Sequence, residues 1–246
     1  IERFKDLIRV QCVRTKEWNK LPHTKGWRYG MGNALAVLKP GKLTQIWKIL
    51  EICVESDLIV IMQAANTGLT GGSTPFGSDY DRPIVIINTM RIKDIHIIKE
   101  GSQIVGLTGS TLYGLERKLK PYGREPHSII GSTSIGASII GGICNNAGGS
   151  LVQRGPSYTE MALYARISRT GKLELVNELG INLGSNPEEI LDNLQNQNYD
   201  ESDIHETDQL GSDNKYSEIV REIDKSTPAR YNSCLLYTSP SPRDGI

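Results

Sequence analysis

Residues 63–75 read QAANTGLTGGSTP, a run of small and hydroxylated residues that follows directly on the apolar stretch 58–62, LIVIM. A short, continuous apolar run of this kind has the pattern of a buried strand. The stretch after it has the pattern of a loop built around an anion. Gly68, Gly71 and Gly72 carry no side chain to keep a bulky ligand off the backbone. Successive N–H groups in such a turn form a concave nest that favours negative charge. Thr67, Thr70 and Ser73 add hydroxyl donors. A phosphate or pyrophosphate is the ligand this chemistry asks for, and the plain alternative is a glycine-rich turn between two strands that holds nothing. Neither GxxxxGK[ST] nor a GxGxxG opening a helix occurs, which disfavours a P-loop NTPase and an ordinary Rossmann dehydrogenase.

A second run lies further along, at 130–149: IGSTSIGASIIGGICNNAGG. It holds Gly131, Gly136, Gly141, Gly142, Gly148 and Gly149, well above the average glycine usage of about 7%. Ile135, Ile139, Ile140 and Ile143 alternate with the small residues. That suits backbone lying against a flat, extended ligand while the aliphatic side chains anchor the loop. A tightly packed small-residue turn or helix start is the bland reading. Two such runs in one neutral chain favour a dinucleotide carrying both phosphates and a planar ring system. Gly136–Ala137–Ser138–Ile139 lacks the closing glycine of GxSxG, which excludes a serine hydrolase of that type.

Working outward, residues 34–38 form an apolar run that stops at Pro40–Gly41, a strand and turn signal. Thr44 is placed to cap a helix running to about Glu55, with Trp47, Leu50 and Val54 on one side. With 58–62 these make a strand–helix–strand unit. Residues 84–87 and 104–107 read as further strands, and Thr111 as the cap of a helix through Lys120. Residues 161–168 and 173–176 flank a turn at Gly171 and predict a hairpin. Residues 5–14 carry a loose helical pattern, and 23–33 read as a loop rich in glycine and aromatics. From Gly184 to 226 acidic residues crowd among Asn, Gln and Ser, the composition of a solvated, mobile excursion. The last stretch, 233–246, has no period and reads as a non-native tail, with the native chain expected to continue past Asn232.

The 246 residues carry 28 Lys+Arg against 28 Asp+Glu, without the basic excess expected of a nucleic-acid binder. Hydrophobic residues at 38% and charged residues at 23% fit a globular protein. No stretch reaches the roughly 18 apolar residues of a membrane span, and the charged opening does not read as a secretory signal. Cys12, Cys53, Cys144 and Cys234 form no CxxC pair and read as free thiols. The spacing of the four histidines makes a zinc site improbable, so no metal is expected.

The segments AANTGLTGGSTP, LYGLERKLKPYGREPHSIIGS and IGASIIGGICNNAGGSLVQRGPSYTEM resemble the bacterial quinone-dependent respiratory D-lactate dehydrogenases. These sit within the flavoproteins that share a vanillyl-alcohol-oxidase/p-cresol-methylhydroxylase type FAD domain. The resemblance runs from about Gly30 to Asn182 and returns at 227–232, TPARYN. It implies an α+β, two-lobed FAD-binding domain spanning 1–232. A small α/β lobe would occupy about 30–110, and a mainly antiparallel sheet lobe about 120–232. It implies that Ala64, Ala65, Asn66, Thr67, Gly68, Gly72 and Ser73 hold the FAD pyrophosphate. Gly131, Ser138 and Gly148 would make further FAD contacts. At 71, glycine stands where the family pattern has an acidic residue, which should loosen the loop without removing a ligand. The activity implied is oxidation of D-lactate to pyruvate, with electrons passed to a membrane quinone. The protein would sit peripherally on the cytoplasmic side of the bacterial inner membrane. Substrate contacts are expected beyond Asn232, so no catalytic residue is assigned here. His127 reads as a structural histidine, Arg154 and Glu160 as an ion pair, and Asn145 and Asn146 as turn caps or flavin contacts. Two alternatives stay open: another FAD-dependent 2-hydroxy-acid oxidoreductase, or a nucleotide-binding module without redox activity.

Overall fold

The computed structural model describes residues 1–126, 130–145, 147, 159 and 161–204. Strand β1 (Val13–Arg14), β2 (Ala36–Leu38), β3 (Ile59–Gln63) and β4 (Ile84–Asn88) form a sheet in the order β1-β2-β4-β3. β2, β4 and β3 run parallel and β1 closes the edge antiparallel. All five residues of β4 are buried, as a central parallel strand covered on both faces requires. Side chains alternate across it. Ala36, Leu38, Val85 and Ile87 face the main core, and Val37, Ile84 and Ile86 face a smaller cluster on the other side.

Helix α1 (Glu2–Leu7) and helix α3 (Leu43–Glu55) cover the main-core face, with Phe4, Ile46, Trp47 and Ile49 inserted. The strand–helix–strand reading of 34–62 therefore describes the centre of the fold. Its cap differs, since the N-cap is Lys42 and not Thr44. Lys42 makes no side-chain cap bond, and the free first-turn N–H of Leu43 is instead taken by Gln195 Oε1 at 2.7 Å, from a helix far along the chain.

That helix, α6 (Pro187–Asn196), corrects the reading of 184–226 as an excursion over the described part of it. Asn186 caps it, and Ile190, Leu191 and Leu194 join the main core. Spaced three and four apart, these few apolar residues make one stripe, which suffices to bury a helix however acidic its outer face is. Lys48 on α3 pairs with Glu188 at 3.0 Å. The predicted hairpin forms as β7 (Ala162–Ile167) against β8 (Leu173–Glu178), with Leu163, Leu173 and Leu175 packed on the same core.

A second core gathers around the hairpin β5 (Ile95–Ile98) and β6 (Gln103–Gly106). Helix α4 (Leu112–Leu119) and helix α5 (Ile139–Cys144) pack there through Leu112, Leu115, Leu119 and Ile139. Thr111 caps α4 as expected, accepting from the Gly114 N–H at 3.0 Å. The 23–33 loop reading is corrected at its start: His23 lies in helix α2 (Glu17–Thr24). The buried face of α2 consists of Lys20 and Thr24 rather than apolar residues, so it gave no hydrophobic signal. Among the described residues no helix is long and apolar enough to cross a membrane.

Candidate cofactor site

The glycine loop leaves the sheet at the carboxyl end of β3, where the ends of β4 and β2 stand beside it. Open parallel sheets bind ligands at this edge, because the loops there are free to shape a crevice. Gln63, the last residue of β3, is 2% exposed and anchors the loop. Its Nε2 donates to His23 O and to Ser73 O, each at 2.8 Å. Its Oε1 meets His23 Nδ1 at 2.7 Å and accepts from Asn88 Nδ2 at 3.2 Å. Asn88 Nδ2 also donates to Ala64 O at 2.8 Å.

The loop is braced from a second side. Asn66, at φ 56, donates from Nδ2 to Lys25 O at 2.9 Å and accepts at Oδ1 from Ser73 Oγ at 2.8 Å. The side chains of Asn66 and Ser73 thus hold each other and the end of α2, which makes them struts of the loop. From Ala64 to Ser73, by contrast, no backbone N–H donates to another group of the protein among the described residues. Leu69, Thr70 and Gly72 are exposed and the other residues of this stretch are half-buried; a row of N–H groups with no protein acceptor among the described residues is open to an acceptor from a ligand.

Two further observations fit a phosphate-bearing cofactor. Gly68 and Gly72 have no positive φ, and a Cβ built on either meets nothing within 4 Å among the described residues. Neither backbone conformation nor internal packing requires glycine there, whereas close approach by a ligand would. Second, the basic side chains of Arg14, Lys39 and Arg91 gather near the carboxyl ends of β2 and β4 with no carboxylate partner among the described residues. Arg91 Nη1 donates to Lys39 O at 2.8 Å and to Cys12 Sγ at 3.1 Å. Burial, then the neighbouring Arg14 and Arg91, hold the Lys39 amine below its ordinary pKa. Burial lowers the His23 imidazole as well, reinforced by Lys39 and Arg14 and opposed by its bond to Gln63. The charges of Lys39 and Arg14 reach His23, which is bonded to Gln63 at the base of the loop, and a positive field there suits an anion.

The predicted residues Ala64, Ala65, Asn66, Thr67, Gly68, Gly72 and Ser73 therefore lie on one loop. Gly131 and Ser138 belong to the second run, and Gly148, His127, Asn146, Arg154 and Glu160 lie outside the described residues. Ser138 is the N-cap of α5, its Oγ accepting from the Gly141 N–H at 2.9 Å. Asn145 ends that helix, donating to Gly141 O at 2.7 Å. A Cβ on Gly131 would also meet nothing within 4 Å among the described residues.

No hydrogen bond joins the two runs directly among the described residues, but one relay connects them. Thr89 N donates to Gln63 O at 2.8 Å, Thr89 Oγ1 donates to Thr108 O at 3.0 Å, and Ile139 N donates to Ser110 O at 2.9 Å. Asn88 Oδ1, Thr108 Oγ1 and Ser110 Oγ, along this relay, are buried without a partner among the described residues. Gln63, His23, Asn88 and Thr89 brace the candidate loop and were not among the residues that sequence reading singled out. Only the polar Gln63 closing an apolar strand was a visible signal.

Residues 34–172 match the model of the FAD binding domain family. The chain is 56% identical over 233 residues to the quinone-dependent D-lactate dehydrogenase of Haemophilus influenzae, covering 95% of this chain and 41% of that protein. It is 56% identical over 211 residues to the enzyme of the same name from Escherichia coli, covering 86% of this chain and 37% of the other. Among solved structures, p-cresol methylhydroxylase with substrate bound superposes with a TM-score of 0.55 at 14% identity, over 71% of this chain and 34% of that one. At that identity the likeness shows the shared fold, an α+β FAD-binding domain.

Proposed function

The chain belongs to the FAD binding domain family, and from that premise we propose that it is the cofactor-binding portion of a quinone-dependent D-lactate dehydrogenase. The observation that carries this reading is 56% identity over 95% of the chain to an enzyme of that name. The chain spans 41% and 37% of the two curated relatives' lengths, so the activity of a whole enzyme is inferred from them. The row of amides from Ala64 to Ser73 that have no acceptor among the described residues supports the cofactor part of the reading.

In this reading the N–H groups of Ala64–Gly68, Gly72 and Ser73 hold the pyrophosphate, while Gln63, Asn66 and Asn88 keep the loop in shape. Gly131, Ser138 and Gly148 supply the further contacts. Bound FAD supplies the capacity to accept two electrons from the carbon bearing the lactate hydroxyl. The chain's own residues bind and orient, and no proton transfer is assigned to any of them. A membrane quinone is the proposed electron acceptor, and the proposed location is peripheral, on the cytoplasmic face of the bacterial inner membrane.

The test uses full-length protein loaded with FAD. D-lactate should bleach the flavin absorbance and L-lactate should not, and a short-chain quinone should restore it. Bleaching by L-lactate in preference, or by another 2-hydroxy acid in preference to either, would refute the substrate assignment.

A further inference from the structure

We propose that Gln63 is the positioning residue of the phosphate loop, acting together with the Nδ1–H form of His23. The proposal rests on the reading that the loop holds FAD. A primary carboxamide offers two N–H donors and one carbonyl oxygen with two lone pairs. All four are used: Nε2 gives to His23 O and Ser73 O, while Oε1 takes from Asn88 Nδ2 and faces His23 Nδ1. Two carbonyl acceptors leave no choice about which end of the amide is nitrogen. Oxygen therefore faces the imidazole, and His23 Nδ1 carries the proton of that 2.7 Å bond.

With every position taken, Gln63 has nothing to offer a ligand directly. Its effect passes through what it ties together. The bond to Ser73 O closes the neck of the loop between its first and last residues. Asn88, held by Gln63, pins the first peptide of the loop at Ala64 O. His23 ties the neck to α2, whose last turn also receives Asn66 from the loop. Between these fixed points, the amides of Thr67–Gly72 have no partner among the described residues. A loop held in its binding shape spares the ligand the entropy of ordering it, so removing the clasp should appear in affinity.

The experiment compares full-length wild-type protein with Gln63→Met, His23→Asn, His23→Leu and Gly68→Val. FAD dissociation constants are read by flavin fluorescence on titrating apo-protein, below each variant's unfolding midpoint. Gln63→Met should weaken FAD about tenfold or more, and His23→Leu by a similar factor. Asparagine can place an amide N–H where the imidazole has Nδ1–H, so His23→Asn should stay within about threefold of wild type. A purely structural role would lower unfolding midpoints and leave the affinity of folded protein unchanged. That result in Gln63→Met overturns the proposal, as does equal loss in His23→Asn and His23→Leu. If Gln63→Met does not fold, the histidine pair alone decides. Gly68→Val separates this proposal from the cofactor reading. Lost binding there beside normal binding in Gln63→Met removes only the role of Gln63. Wild-type protein that does not bind FAD, or Gly68→Val that binds it normally, removes the cofactor reading and the proposal together.

Discussion

Replacing Gly72 with alanine separates what the protein needs from what its ligand needs. The φ of Gly72 is not positive and a Cβ there meets nothing within 4 Å among the described residues, so the folded chain accepts a methyl group. The unfolded chain loses conformational freedom, which stabilises the apo-protein by about 0.4–1 kcal/mol. For a chain of this size that raises Tm by roughly 1–4 °C. FAD binding should move the other way. A methyl group over the amides pushes the pyrophosphate off at least one N–H, and a hydrogen bond to a charged group is worth about 1.5–3 kcal/mol. The dissociation constant should rise roughly ten- to hundredfold. The neighbouring Gly71 gives the contrast. At φ 78 an alanine is strained by about 1–2 kcal/mol, and apo Tm should fall. Thermal melts of apo-protein and fluorescence titration with FAD read both effects. Wild-type affinity in Gly72→Ala, or a lowered apo Tm, would refute the reasoning.

Leu191→Ala should cost about 2–5 kcal/mol in urea unfolding, since Leu191 is buried beneath α3. A change under about 0.5 kcal/mol would mean that α6 is a surface segment after all. Thr111→Ala should cost about 1 kcal/mol by removing the cap on Gly114 N–H, and Thr111→Ser should restore most of it in a thermal melt. Burial holds the imidazoles of His23 and His96 below their ordinary pKa of 6.5. The unfolded chain then takes up protons before the folded one does. This contribution to stability is complete above 6.5 and is lost as pH falls through the depressed values. Unfolding midpoints measured from about pH 7.5 down to about pH 5.5 should fall, and His96→Asn should flatten part of that slope. An unchanged slope in the variant would contradict the shift at His96.

The sheet was legible where local pattern and tertiary role coincide. Residues 34–38, 58–62 and 84–87 are apolar without interruption and all three form strands; β2 and β4 are buried throughout, as covered parallel strands require, while the edge strand β3 is only half-buried and exposes Met62. β5 carries no continuous apolar signal because His96 interrupts its aliphatic run, and the structure buries that histidine against the Tyr199 hydroxyl at 2.8 Å. α2 and α6 were missed for related reasons. One buries a lysine whose Nζ reaches Ala34 O, and the other carries three buried apolar residues in an acidic stretch. Burial in each case depends on a partner far away in sequence.

Alone, the amino-acid order determined the glycine loop, its place after an apolar strand, and the resemblance that implies FAD. Those are properties of neighbouring residues and of composition. The folded molecule decided which polar groups are engaged. It turned Asn66 and Ser73 toward each other, joined Gln63 to His23 forty residues away, and left the loop's amides without partners among the described residues. Hydrogen bonding is short-ranged in space and indifferent to distance along the chain, so only the fold could say which amides remain for a ligand.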